Sequence, residues 1–76
     1  MEKAVTQDLR LLGEGIRRHR QALDVSQEDF AELCDLHRTY IGQVERGEKN
    51  ISFENILKIA RGLKIKPSKL FSTAGL

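Results

Sequence analysis

The chain has 76 residues, 39% hydrophobic and 32% charged, which is enough for one small core and too little for two. Its one cysteine, Cys34, excludes an internal disulfide, and no run approaches the ~20 apolar residues of a membrane span or the apolar core of a secretory signal. The expectation is a soluble cytoplasmic protein with no membrane partner, for which oligomerisation supplements a marginal core.

Apolar residues follow helical spacing almost throughout, which predicts an all-α fold of five short helices. The first runs from about Thr6 to Leu23, with Leu9, Leu12, Ile16 and Leu23 as one buried stripe and Gly13 and Gly15 as local weak points. Asp24 and Val25 mark its end. Ser26 is placed to cap a second helix whose first turn carries Glu28 and Asp29, favourable to the helix dipole. Phe30, Ala31, Leu33 and Cys34 form its inward side, and Asp35, tolerant of left-handed backbone, turns the chain. A third helix begins near His37 or Arg38 and ends about Arg46, with Leu36, Ile41 and Val44 inward, Gly47 suited to its C-terminal cap, and Arg38, Thr39, Gly42 and Gln43 outward. Ser52 caps a fourth helix through Ile56, Leu57, Ile59, Ala60 and Leu63. Pro67 opens a short fifth helix to about Phe71, and residues 72–76 are expected to fray.

Charge is unevenly spread behind the net value of +2. Arg10, Arg17, Arg18 and Arg20 oppose only Glu14, whereas residues 24–35 carry Asp24, Glu28, Asp29, Glu32 and Asp35 with no base. Beyond Glu54 every charged residue is basic. Such a two-sided chain suits a polyanion on one face, with a solvated mixed-charge surface as the alternative. Two short helices joined by a tight turn, the second with hydrogen-bonding side chains outward, form a helix-turn-helix at about residues 26–46. The second helix of such a pair fits the major groove, where Arg, Thr and Gln can read base edges.

The successions Ser26-Gln27-Glu28-Asp29-Phe30-Ala31, Arg38-Thr39-Tyr40-Ile41-Gly42-Gln43-Val44-Glu45-Arg46-Gly47 and Ile56 to Leu63 resemble the XRE family of repressor- and Cro-like regulators over nearly the whole chain. Arg38 to Ile41, Glu45-Arg46 and Asn50-Ile51-Ser52 further resemble the small controller proteins of restriction–modification operons. The resemblance implies a lambda repressor-like five-helix bundle, one domain over 1–76, that binds double-stranded DNA as a homodimer on a palindromic operator and regulates transcription, its own included. By that resemblance Gln27 grips a backbone phosphate, Arg38, Thr39 and Gln43 read bases, and Lys49 and Asn50 touch backbone beyond the recognition helix. Tyr40 either bonds a phosphate or packs at the core edge. Arg20 and Glu45 match a structural ion pair. Where Asp24 and Asp35 stand, relatives commonly carry glycine, and His37 replaces the usual Ser or Thr cap, placing a titratable group near DNA. Gly42, inside the recognition helix, costs about 1 kcal/mol against alanine.

A dimerisation region is expected at about residues 52–71, with Ile65, Leu70 and Phe71 as interface candidates. Cys34 reads as a small core hydrophobe and Arg17, Arg18 and His19 as a solvated helix end. The acidic run Glu28, Asp29 and Glu32 is a candidate contact for RNA polymerase, with solvated surface as the alternative. Neither a Gly-rich phosphate loop, nor a nucleophile with its base, nor metal-ligand spacing can be assembled, so no enzyme, metal, cofactor or small-molecule ligand is expected. The rival reading is a protein-interaction module or antitoxin-like partner-binding domain on the same fold, which would present apolar anchors on the third helix rather than groove-reading residues.

Overall fold

The computed structural model describes residues 3–76, with side chains described from Thr6 onward. Five helices and no strand occur among them: α1 Lys3–Ala22, α2 Gln27–Cys34, α3 Arg38–Glu45, α4 Phe53–Leu63 and α5 Pro67–Ala74. Local chemistry sets most of the boundaries. Ser26 Oγ accepts from the Asp29 N–H at 3.0 Å and Ser52 Oγ from the Asn55 N–H at 3.1 Å, each satisfying one orphan donor of a first turn. Pro67 occupies the first turn of α5, where its missing N–H costs nothing. Asp24 (φ 58°), Asp35 (φ 56°) and Lys64 (φ 60°) turn the chain through left-handed backbone after α1, α2 and α4. Aspartate tolerates that region better than lysine does.

The core gathers Leu12 and Ile16 of α1, Phe30, Ala31 and Cys34 of α2, Ile41 and Val44 of α3, Ile51, Ile59 and Leu63 around α4, and Leu70 of α5. Phe30, Ile16, Ile41, Ile59 and Leu70 are wholly enclosed. Each is worth about 1.5–3 kcal/mol of transfer free energy when fully buried. Two residues expected inside are not there. Leu23, just past the end of α1, and Leu33, on the outer side of α2, are 41% and 54% exposed, because the buried arc of α2 is filled by Phe30, Ala31 and Cys34.

Helix α1 packs most extensively against α5 and then against α3. At the second crossing Gly13 is obligatory, since a Cβ there would lie 2.6 Å from the carbonyl oxygen of Glu45. At the first, α5 extends to Ala74 and is capped by Gly75, so residues 72–74 are helix rather than the frayed tail expected. Ala74 is buried against Gly15. His19 Nε2 and Thr73 Oγ1 share a hydrogen bond at 2.9 Å, and Arg18 Nη2 donates to the Thr73 carbonyl at 3.1 Å. The basic end of α1 is therefore partly a latch: Arg17 and Arg18 are exposed, as a solvated helix end should be, but His19 is half-buried against α5. No helix among the described residues is long and apolar enough to cross a membrane.

Candidate nucleic-acid interface

Helix α3 is held by one carboxylate. Glu45, 6% exposed, accepts from Arg20 Nε at 2.7 Å and Nη2 at 3.0 Å and from Gln27 Nε2 at 3.0 Å. Arg20 Nη1 donates in turn to the Val25 carbonyl at 2.9 Å, on the chain entering α2. Helices α1, α2 and α3 thus meet at a single charge-assisted network in which the buried charge is matched and hydrogen-bonded. With Ile41 and Val44 buried beside Glu45, the opposite side of α3 must face solvent.

On that side Arg38 and Thr39 are exposed and Gln43 is half-buried. Arg38 Nη1 reaches Glu28 Oε2 at 3.4 Å, an ion pair with both side chains more than two-thirds exposed and therefore weak. His37 is exposed at the N-cap of α3 and makes no capping hydrogen bond, as its replacement of Ser or Thr implies. Tyr40 is half-buried against the core, and its hydroxyl accepts from Asn55 Nδ2 at 3.0 Å. That bond leaves the hydroxyl its own proton to donate.

Gln27, at the first position of α2, lies beside the same surface. Glu45 takes one N–H of its amide, and the carbonyl oxygen comes within 3.6 Å of where a Cβ on Gly42 would sit. A shallow groove runs between the start of α2 and the outer side of α3, with Gly42 as its floor and Gln27, Arg38, Thr39 and Arg46 around it. Gly42 itself is buried under the Arg46 and Gln27 side chains, although helical spacing predicts an outward position. Beyond α3, Gly47 (φ 73°) takes a conformation open to glycine and packs where a Cβ would be 2.8 Å from Arg10 Cα. This packing fixes the start of the exposed loop carrying Glu48, Lys49 and Asn50.

The interface candidates of the fourth and fifth helices divide. Ile65 and Phe71 are half-buried and pack on the core, but Leu70 is fully enclosed inside one protomer and has no surface to offer. Phe53, unremarked in the sequence, is 73% exposed at the start of α4. Nothing in the local pattern marks Arg46 and Glu48, which form a two-point pair, or Asn55, which holds Tyr40. Cys34 is enclosed against Gly62, and burial pushes its thiol up to about 12, which keeps it a neutral, unreactive packing group at ordinary pH. No cluster of three or more His, Cys, Asp or Glu suited to a metal occurs among the described residues.

A family model described as helix-turn-helix matches residues 16–70. The chain is 45% identical over 75 residues to the control protein C.BamHI of Bacillus amyloliquefaciens, with 93% of each chain covered. It is 41% identical over 66 residues to the control protein C.SmaI of Serratia marcescens, covering 87% of this chain and 79% of that one. Among solved structures, the restriction-modification controller protein C.AhdI from Aeromonas hydrophila is similar with a TM-score of 0.82 and 47% identity, covering 84% of this chain and 97% of that chain.

Proposed function

Since the chain belongs to the helix-turn-helix family of DNA-binding transcription regulators, a family of regulators rather than of enzymes, we propose that it binds a palindromic operator as a homodimer in the cytoplasm. Like the restriction-modification controller protein it resembles, it would serve a restriction–modification system; it would also act on its own expression. The observation that carries this reading is the groove between α2 and α3, in which Gln27, Arg38 and Thr39 surround a floor without a side chain.

In this reading α3 enters the major groove, where Arg38 prefers guanine, Gln43 adenine, and Thr39 a thymine methyl group or a phosphate. Gln27 donates its free amide N–H to a phosphate at the N-terminus of α2, with Tyr40, His37, Lys49 and Asn50 as further backbone contacts. The dimer forms through residues of about 52–71, with Ile65, Phe71 and the exposed Phe53 in the interface, and sets two recognition helices ~34 Å apart along one face of the duplex. RNA polymerase would meet the outward side of α2, where Glu28, Asp29 and Glu32 are exposed. In this reading regulation depends on protein concentration, dimerisation and operator affinity.

The test is selection from a random duplex library, followed by titration of the winner and a scrambled duplex at two salt concentrations. A palindromic winner bound about 10³-fold more tightly than the scramble is expected. Equal, weak binding to both, falling steeply with salt, would overturn sequence-specific regulation in favour of a partner-binding module.

A further inference from the structure

Arg46 ends α3 with αR backbone, and its side chain folds back one turn so that Nη1 lies 3.1 Å from the Cβ position of Gly42. Gln27 Oε1 is 3.6 Å from the same point. The missing side chain of Gly42 is thus a notch on which a guanidinium and an amide converge, at the floor of the α2–α3 groove. The other edge of the guanidinium is engaged by Glu48: Nε donates to Oε2 at 2.7 Å and Nη2 to Oε1 at 3.3 Å. Two parallel bonds to two oxygens of one anion are the arrangement that a guanidinium makes with a phosphate diester.

We propose that Arg46 is a phosphate-contacting residue of this surface and that Glu48 is a built-in stand-in for the phosphate, released when the DNA backbone takes its place. The inference rests on the DNA-binding reading above. Both side chains are more than half exposed, at 58% and 52%, so the pair is solvated and a phosphate can exchange for the carboxylate at little cost. The hydrogen bond from Arg46 also holds the Glu48 carboxyl below the usual carboxylate range, so the stand-in stays ionised at neutral pH. Glu48 then lowers affinity for every duplex by the same factor, without changing which sequence is preferred, because it competes with a backbone phosphate rather than with a base.

Glu48→Gln, Arg46→Gln and the double variant are titrated with the selected operator and with its scramble at two salt concentrations. Glu48→Gln is expected to tighten both duplexes about threefold, the measure of an exposed ion pair released. Arg46→Gln is expected to weaken both about tenfold and to reduce the log–log salt slope by about 0.9, as follows when one phosphate fewer is neutralised. In the Arg46→Gln background, Glu48→Gln should change nothing. An equal tightening in that background means that Glu48 acts only as a general negative charge, and unchanged affinity in Glu48→Gln means that it does not compete at all; either result overturns the proposal. A wild type that prefers neither duplex overturns the DNA-binding reading itself. A specific wild type with uncoupled variants overturns the Arg46–Glu48 inference alone.

Discussion

Arg20 of α1 and Glu45 of α3 meet edge to edge, with their side chains only 12% and 2% exposed, and Gln27 of α2 shares the same carboxylate. The orientation of the recognition helix is therefore fixed by an ion pair that water scarcely reaches.

Arg20→Ala leaves Glu45 as an uncompensated buried charge and should cost about 3 kcal/mol or more, read as a lower urea midpoint. Adding Glu45→Gln to that variant removes the stranded charge while keeping an acceptor for Gln27, and should restore a large part of the stability. If the double variant is less stable than Arg20→Ala, the ion pair is not what anchors α3.

Two glycines in helices should respond oppositely to alanine. At Gly13 the new Cβ meets backbone carbonyl oxygen of α3, which cannot move alone, so Gly13→Ala should destabilise by more than the ~1 kcal/mol of helix propensity it gains. At Gly42 the nearest atom is the end of the flexible Arg46 side chain, so Gly42→Ala should be neutral or stabilising by up to about 1 kcal/mol. The same Gly42→Ala should weaken operator binding by displacing the Arg46 guanidinium from the groove floor. Thermal unfolding and duplex titration of each variant separate the two effects.

Arg38→Ala should relax base preference at one position of each half-site, costing about 1–3 kcal/mol on the operator and little on a scrambled duplex. Lys49→Ala should instead weaken both duplexes alike and lower the salt slope by about 1. Equal, sequence-independent losses in the two variants would contradict the roles assigned to them.

Cys34 makes stability depend on alkaline pH. Its folded pKa, raised to about 12, lies above the unfolded value, taken as 9.0. The thiol therefore contributes fully below about pH 9, and its contribution is lost as pH rises from there towards 12, at up to about 1.4 kcal/mol per pH unit. Urea midpoints at pH 8 and pH 10.5 should fall further apart in the wild type than in Cys34→Ala. The native thiol should also resist alkylation at pH 8 until the protein unfolds.

Lys64 turns the chain at φ 60° without the local hydrogen bonding that makes aspartate tolerable there. Lys64→Gly should raise stability by up to about 1 kcal/mol, and Asp35→Gly by less. A lower stability in Lys64→Gly, measured by thermal unfolding, would show that the lysine side chain holds the α4–α5 turn.

The five helices were legible because their punctuation is local: Ser26, Ser52 and Pro67 open helices within a few residues of the groups they serve. What escaped the sequence is long-range or depends on which arc of a helix is covered. The last turn of α5 is marked locally only by Gly75 as its cap, and Thr73 is tied to residues 54 and 55 positions away. Leu23 and Leu33 keep apolar spacing but fall outside the covered arcs, whereas Leu70, expected at a surface, is drawn wholly into the core by α1. At the candidate site, motif spacing placed Arg38 and Thr39 on the open side of α3, where the structure has them exposed. The Arg46–Glu48 pair went unread because two opposite charges two residues apart look like any polar loop until the helix end bends them together.

The latch between His19 and Thr73 joins segments made at opposite times, since the two residues are 54 positions apart in the chain. Helices α2 and α3 are neighbours in sequence and pack on each other, but α1 has no α5 to dock on until residues 67–74 have been made. A chain cut before Pro67 lacks the helix that packs most extensively on α1 and should be degraded faster by proteases than the full chain.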